Sequence, residues 1–487
     1  MALPKIESGV KSFIVVLVMV LVVSALRYEP GNNADLAAGQ GAGTDSGPLA
    51  GDAGTAAGEG VAGPGTEGVA GTAGSAGTAG TAGGGGGAAG AECKAGRNGG
   101  NTDTGVTGNQ IRLATTAVLD GPARSLLGDS PVAMKAVVDK VNKAGGICGR
   151  LLDLRVVNDS FKPEGSSFIR SFAAEGYFAL PVVPSAEGLG AAIKGGVIAR
   201  AGIPVVGTDG MREEQYNEQW VWPVASATVT SMRVMAKYGA TNRGAKTFAI
   251  VWDGEYKFGQ EGKDAFEQQV KAMGLNLVAT ARLDPDQQSY ASEAEAFNGA
   301  CGSSGEKCDM VAMLLLPDTA KKWLQRRPAR GRLYTAGAQT LFTDRFAQDC
   351  VQQIGGDCHG FAVWTGYNPP IGPLATLPGV AAYVSDVRAL KPDIDINNQF
   401  IEGSYLGMSV FVEALKAVGP NLTRARLKAQ LDSMDFKNDL ASTLSWRPGN
   451  HAANVRSQSF SMTVSGGTFR GWTNDQSGFI LDPARGG

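Results

Sequence analysis

The sequence predicts an α/β protein of two doubly wound parallel-sheet lobes. Three observations carry this. Strand-like and helix-like segments alternate from about residue 111 to 207, the same rhythm restarts at 247, and helices and short strands follow both runs. In the first run IRLATTAV (111–118) is an apolar strand, and Pro131 to Ala144 has helical spacing. LLDLRVV (151–157) is the next strand, followed by a helix starting near Pro163. FALPVVP (178–184), a helix from Leu189 to Ala201 and IPVVG (203–207) complete it. This strand-helix alternation implies a parallel sheet covered on both faces.

The second run reads TFAIVW (247–252), LNLVATA (275–281), DMVAMLLL (309–316) and RLYTAG (332–337), again with helical stretches between. After it come a long amphipathic helix, Phe400 to Val418, and a second at about Arg424 to Met434. TLSW (443–446), QSFSMTV (458–464) and GTFRGW (467–472) are short strands. Elements appended after both runs imply that the chain crosses between the lobes more than once.

The N-terminus reads differently. Lys5 and Lys11 precede an apolar run from Phe13 to Val23, the length of a signal-peptide core and short for a membrane span. Residues 1–26 are therefore a signal peptide, with cleavage after Ala25, or an uncleaved signal anchor. Residues 27–92 are Gly, Ala and Thr with a few acids, a composition that cannot bury a core and that predicts a disordered linker.

Composition excludes several classes. The 487 residues carry a formal net charge of -2, without the basic excess of a nucleic-acid binder. Two histidines, His359 and His451, leave little for a catalytic metal site or a His acid–base pair, and no cofactor or metal is expected. The folded region lacks the Gly-x-Ser-x-Gly elbow of an α/β hydrolase. Six cysteines in an exported chain suggest disulfides. Spacing favours Cys301 with Cys308 and Cys350 with Cys358, leaving Cys93 for Cys148, although spacing alone leaves other connectivities open. Trp220 and Trp222 read as packing residues beside a crossover, and His359 as an ordinary loop residue.

The stretch DGPARSLLGDSPVAMKAVVDKVNKAGGICGRLLDLRVVND (120–159) carries Gly121-Pro122, Asn142, Gly145-Gly146, Gly149-Arg150 and Asp159. In that order and spacing it resembles the opening of type I periplasmic solute-binding proteins of ABC importers, in the branched-chain amino-acid-binding branch. WDGEYKFGQEGKDAFEQQVKAMG (252–274) resembles that family's second-lobe opening, and IEGSYLGMSVFVEAL (401–415) its late helix. The resemblance spans roughly Gly108 to Trp472. It implies a three-crossover hinge, with one lobe of 93–231 plus about 365–435 and another of 232–364 plus about 436–487. It also implies a non-enzymatic monomer that captures a small molecule by hinge closure and delivers it to a membrane permease.

The matching ligand positions are Leu127, Ser185, Glu187, Gly188, Thr208, Asp209 and Gly210 from the first lobe. From the second they are Phe258, Asp318 and Gln339, with Phe400 as an apolar wall. Gln339 stands where amino-acid binders carry a carboxylate for the ligand ammonium, and Phe258 where they carry Tyr. A branched-chain amino acid is therefore less expected than another small polar or amphipathic metabolite: an amino acid, an amide or an aromatic acid. Two alternatives remain open, a tethered ligand-sensing module with a membrane partner and a secreted hydrolase.

Overall fold

The computed structural model describes Cys93 and residues 96–485, except 122 and 477. The expected signal segment, and all of the expected linker but its boundary, lie outside the described residues. The described part falls in one compact unit.

The first sheet is parallel. β1 (Gln110–Ala117) pairs in register with β2 (Leu151–Asn158). On the other side of β1, residues 179–183 join through single bridges, Leu113 to Ala179 and Leu180 to Val205. Pro181 interrupts this segment, so the strand expected over 178–184 forms isolated bridges rather than a continuous ladder. β3 (Val205–Val206) then pairs with β4 (Val221–Trp222). The helix expected from Leu189 to Ala201 is two helices, Ala186–Lys194 and Val197–Ala201, broken at Gly195-Gly196 where Gly196 is left-handed at φ 64°.

The second sheet contains β5 (Thr247–Asp253), β6 (Asn276–Leu283), β7 (Met310–Leu314), β8 (Tyr334–Gly337) and β9 (Ala362–Thr365). All five are parallel, in the order β6-β5-β7-β8-β9. β7 is buried at every residue, as a central parallel strand must be, whereas β6 at the edge alternates. The small β10 (Asp435–Phe436) and β11 (Leu444–Ser445) pair with each other. β12 (Arg456–Ser465) adds antiparallel to β9, and β13 (Thr468–Asn474) and β14 (Ile480–Leu481) add antiparallel to β12.

Each sheet is covered on both faces. The helices Ser130–Lys143 and Gln399–Val418 pack on one face of the first sheet through Met134, Val137, Leu406 and Phe411. Leu440, Leu444 and Trp446 belong to this same core. Ile169, Leu189 and Ile198 fill the opposite face. The late helix lies close because Gly407 approaches Gly207: a Cβ on Gly407 would stand 3.1 Å from the Gly207 Cα.

The Asn142-to-Arg150 motif is a structural turn. Asn142 exchanges two hydrogen bonds with the Leu152 backbone, at 2.9 and 2.8 Å. Gly146 has φ 75°, and a Cβ there would lie 2.1 Å from the Arg150 carbonyl, so only glycine fits. Arg150, fully buried, donates to the carbonyls of Thr107, Pro420 and Gly100 at 2.7, 3.1 and 3.0 Å and ties the start of the lobe to the late helix hairpin. Disulfides join Cys93 to Cys148, Cys301 to Cys308 and Cys350 to Cys358.

The chain passes between the sheets three times, near 223–227, 365–368 and 447–455. Asn454 clasps all three passages: its amide donates to the Val224 carbonyl at 3.3 Å and the Gly366 carbonyl at 3.0 Å. Trp446 donates its indole N–H to the Pro223 carbonyl at 3.1 Å. Trp222 is fully buried, stacks on His451 with centroids 5.2 Å apart and donates to Asp432 at 2.9 Å, a packing role. His359 accepts from the Val464 N–H in a loop.

Candidate functional site

In an open parallel sheet the crevice for a ligand lies at the carboxyl ends of the strands, where the strand order reverses. In the first sheet this is between β1 and residues 179–183, which places the loops around 118–127 and 184–188 there. In the second sheet it is between β5 and β7, which places residues 254–258 and 315–318 there. These two sets of loops meet. Val118, Leu126, Leu127, Phe161, Ala186 and Met211 of the first lobe share one buried cluster with Phe258, Leu316, Ala338 and Phe400.

Polar contacts also cross the boundary. Glu187 holds Arg212 at 2.9 Å, and Arg212 also reaches Glu214 at 2.6 Å. From the second lobe Lys257 pairs with Glu214 at 2.6 Å and with Glu261 at 3.0 Å, while the Glu213 N–H donates to Glu261 at 2.9 Å. Arg212 can lie flat against the helix Ala186–Lys194 because position 190 is glycine: a Cβ there would stand 2.5 Å from the guanidinium carbon. Asn398 caps the late helix through the Phe400 N–H at 3.0 Å and donates to the Leu126 carbonyl at 2.7 Å, which seats Phe400 beside the Arg124–Leu127 turn.

Ten of the eleven residues singled out from the sequence are buried: Leu127, Ser185, Glu187, Gly188, Thr208, Asp209, Gly210, Phe258, Gln339 and Phe400; of these Leu127, Phe258 and Phe400 lie in the shared cluster and Glu187 in the charge network. Their immediate partners differ. Ser185 donates to Asp159 at 2.9 Å, and Gly188 gives Asp159 its space, since a Cβ there would lie 2.9 Å from the carboxylate. Thr208 accepts from the Gly210 N–H at 3.3 Å, and Asp209 accepts from the Met211 N–H at 3.1 Å and from Gln215 at 2.9 Å. These contacts hold the 208–211 loop in shape. Burial, opposed by those hydrogen bonds, pushes the Asp209 carboxyl up to about 6. Gln339 donates to the Thr228 hydroxyl at 2.7 Å, just past the first crossover, leaving its carbonyl oxygen buried without a partner. Asp318 stands apart, half-exposed and paired with Arg345 at 3.4 Å.

Four residues at the site escaped the sequence reading: Phe161, Arg212, Tyr256 and Lys257. Phe161 reaches the boundary from a strained turn after β2, with Ser160 at φ 55° and Phe161 at φ 58°. Its N–H donates to Asp159 at 3.1 Å, which fixes the turn. The two consecutive left-handed residues had no glycine or asparagine to announce them. At the end of β5, burial pushes the Asp253 carboxyl up to about 8, although it accepts from the Leu316 N–H at 2.5 Å. Among the described residues Glu255, Asp284 and Asp286 bring carboxylates within 4.8 Å of one another at the outer edge, all exposed.

Residues 110–468 match the family described as periplasmic binding protein, and the chain belongs to that family, with its type I fold. The family consists of substrate-binding proteins. Solved structures agree. An extracellular ligand-binding receptor from Verminephrobacter eiseniae superposes with a TM-score of 0.62 at 19% identity, covering 74% of this chain and 100% of that one. A branched-chain amino-acid ABC transporter protein from Thermus thermophilus with bound valine gives 0.62 at 15% identity, covering 75% and 96%. A fatty acid ABC transporter substrate-binding protein from Thermomonospora curvata gives 0.60 at 16%, covering 77% and 95%. No curated protein sequence matches the chain. Among the described residues no helix is long and apolar enough to cross a membrane.

Proposed function

We propose that this protein is the exported solute-binding component of an ABC-type importer. It captures a small polar or amphipathic metabolite between its lobes and presents the closed form to a membrane permease. The lobes divide at the three crossings clasped by Asn454, and the protein acts as a monomer without catalysis. One observation carries the reading: the loops at both topological switch points converge on one buried layer, so a molecule there touches both lobes at once. A ligand favours closure only to the extent that it binds the closed form better, and two-sided contact supplies that difference. The relatives support the same role, since those reported above include proteins of amino-acid and fatty-acid ABC transporters.

The test is a thermal-shift screen of the full chain against amino acids, amides, amines, aromatic acids, fatty acids and sugars, with small-angle scattering on any hit. One chemical group is expected to raise the melting temperature by several degrees and to reduce the radius of gyration. Absence of a shift across the whole panel refutes small-molecule capture. Turnover of an ester or amide, lost on replacing one serine, would establish a hydrolase instead.

A further inference from the structure

The boundary between the lobes has a distinctive pattern of rings and charges. Phe161 meets Tyr256 edge to face at 5.3 Å, and Tyr256 stacks on Phe258 at 5.8 Å, so aromatic rings run from one lobe into the other. Carboxylates outnumber cations around them. Glu187 and Glu214 come from the first lobe and Glu261 from the second, against Arg212 and Lys257, and the Glu187 charge also reaches the buried Asp209 carboxyl.

Both cations are engaged, Arg212 on Glu187 and Glu214, Lys257 on Glu214 and Glu261. Yet carboxylate oxygens remain. Glu187, 9% exposed, and Asp209, 3% exposed, each keep one oxygen buried with no hydrogen-bond partner. Arg212 Nε is a buried donor also left over beside them, which still leaves acceptors in excess. Burial pushes the Tyr256 phenol up, and the carboxylates of Glu255, Asp253, Asp286 and Glu187 add to it. A desolvated carboxylate oxygen is costly unless something positive or hydrogen-donating meets it, and the face of an aromatic ring also attracts a cation.

We propose that the cleft takes an organic cation, an ammonium or amidinium head on an apolar body. The head lies against Tyr256 and Phe161 and meets the unpartnered oxygens of Glu187 and Asp209. The body rests on Leu127, Met211, Phe258 and Phe400. Gln339 then needs no charge, because the counter-ion comes from the first lobe rather than the second. This inference rests on the cleft being the ligand site.

The experiment is calorimetric titration of the full chain with three probes that share a phenyl ring and differ in the head: 2-phenylethylamine, phenylacetamide and phenylacetate. Choline and leucine serve as a further cation and a zwitterion. The amine is expected to bind at least about tenfold more tightly than the amide or the carboxylate. Glu187→Gln, which keeps an oxygen for Arg212, is expected to weaken the amine about tenfold or more while moving the amide by less than about threefold. Tyr256→Leu, a change of ring rather than of charge, is expected to weaken the amine and choline together. Equal or tighter binding of the amide, the carboxylate or leucine overturns the inference and leaves the solute-binding function standing. So does a neutral or anionic hit from the solute screen when no amine binds. If neither these probes nor the screen gives binding, the proposed function fails and the cation assignment falls with it.

Discussion

Asp209 makes a prediction about stability that is independent of any ligand. Its carboxyl is fully buried, accepts two hydrogen bonds on one oxygen and none on the other, and is pushed up to about 6. In the unfolded chain the carboxyl returns to about 3.9. Between those values the folded protein binds more protons than the unfolded one, so stability falls as pH rises. The contribution is fully present below about pH 4 and lost as pH passes through about 6. The shift of roughly two units corresponds to about 3 kcal/mol at ~1.4 kcal/mol per unit. Asp209→Asn removes the titration while keeping an oxygen for Met211 and Gln215. Whatever constant cost the new amide carries, the variant-minus-parent stability should be about 2.5 kcal/mol more favourable at about pH 7.5 than at about pH 4. Urea unfolding of both full-length proteins at the two pH values measures it. A difference that is the same at both pH values would show that Asp209 is ionised in the fold as readily as in water, and the burial argument would fail.

Other outcomes follow from the same contacts. Replacing Asn454 with Ala strips the Val224 and Gly366 carbonyls of their shared donor, and urea unfolding should show a loss of about 2–3 kcal/mol. Gly190→Ala puts a methyl where the Arg212 guanidinium lies. It should lower the melting temperature and, by displacing the Glu187–Arg212 pair, weaken whatever ligand the screen identifies. The disulfides should rank by loop length. Removing Cys93–Cys148, with a sequence separation of 55, should cost about 4 kcal/mol, and removing Cys301–Cys308, with a separation of 7, about 2.5 kcal/mol. Paired Ser variants compared by denaturant titration test that order.

The sequence alone determined the two α/β lobes, because largely apolar strand runs that alternate with helical spacing call for a parallel sheet covered on both faces. IRLATTAV, TFAIVW and DMVAMLLL are such runs, and each became a strand within a residue or so, or slightly shorter. The Asn142-to-Arg150 turn was legible through the family resemblance, and the structure shows that its glycines answer a local steric demand. The AVWT strand at 362–365 was not singled out, being too short to separate from its flanks. Pro181 broke a run that composition read as continuous.

At the site, loop position at strand ends pointed to Glu187 and Phe258, which join the contacts between the lobes. What each touches was decided by tertiary structure alone. Arg212 and Lys257 matter because Glu214 stands between them, and Phe161 because a strained turn aims it at Tyr256. Asp318, placed by the same reasoning as Phe258, turned outward to Arg345. Periodicity records which side of an element faces the core, a local property of the chain. Whether a carboxylate meets a cation, an amide or nothing depends on residues from the other lobe, and that pairing exists only once the chain has crossed the hinge three times.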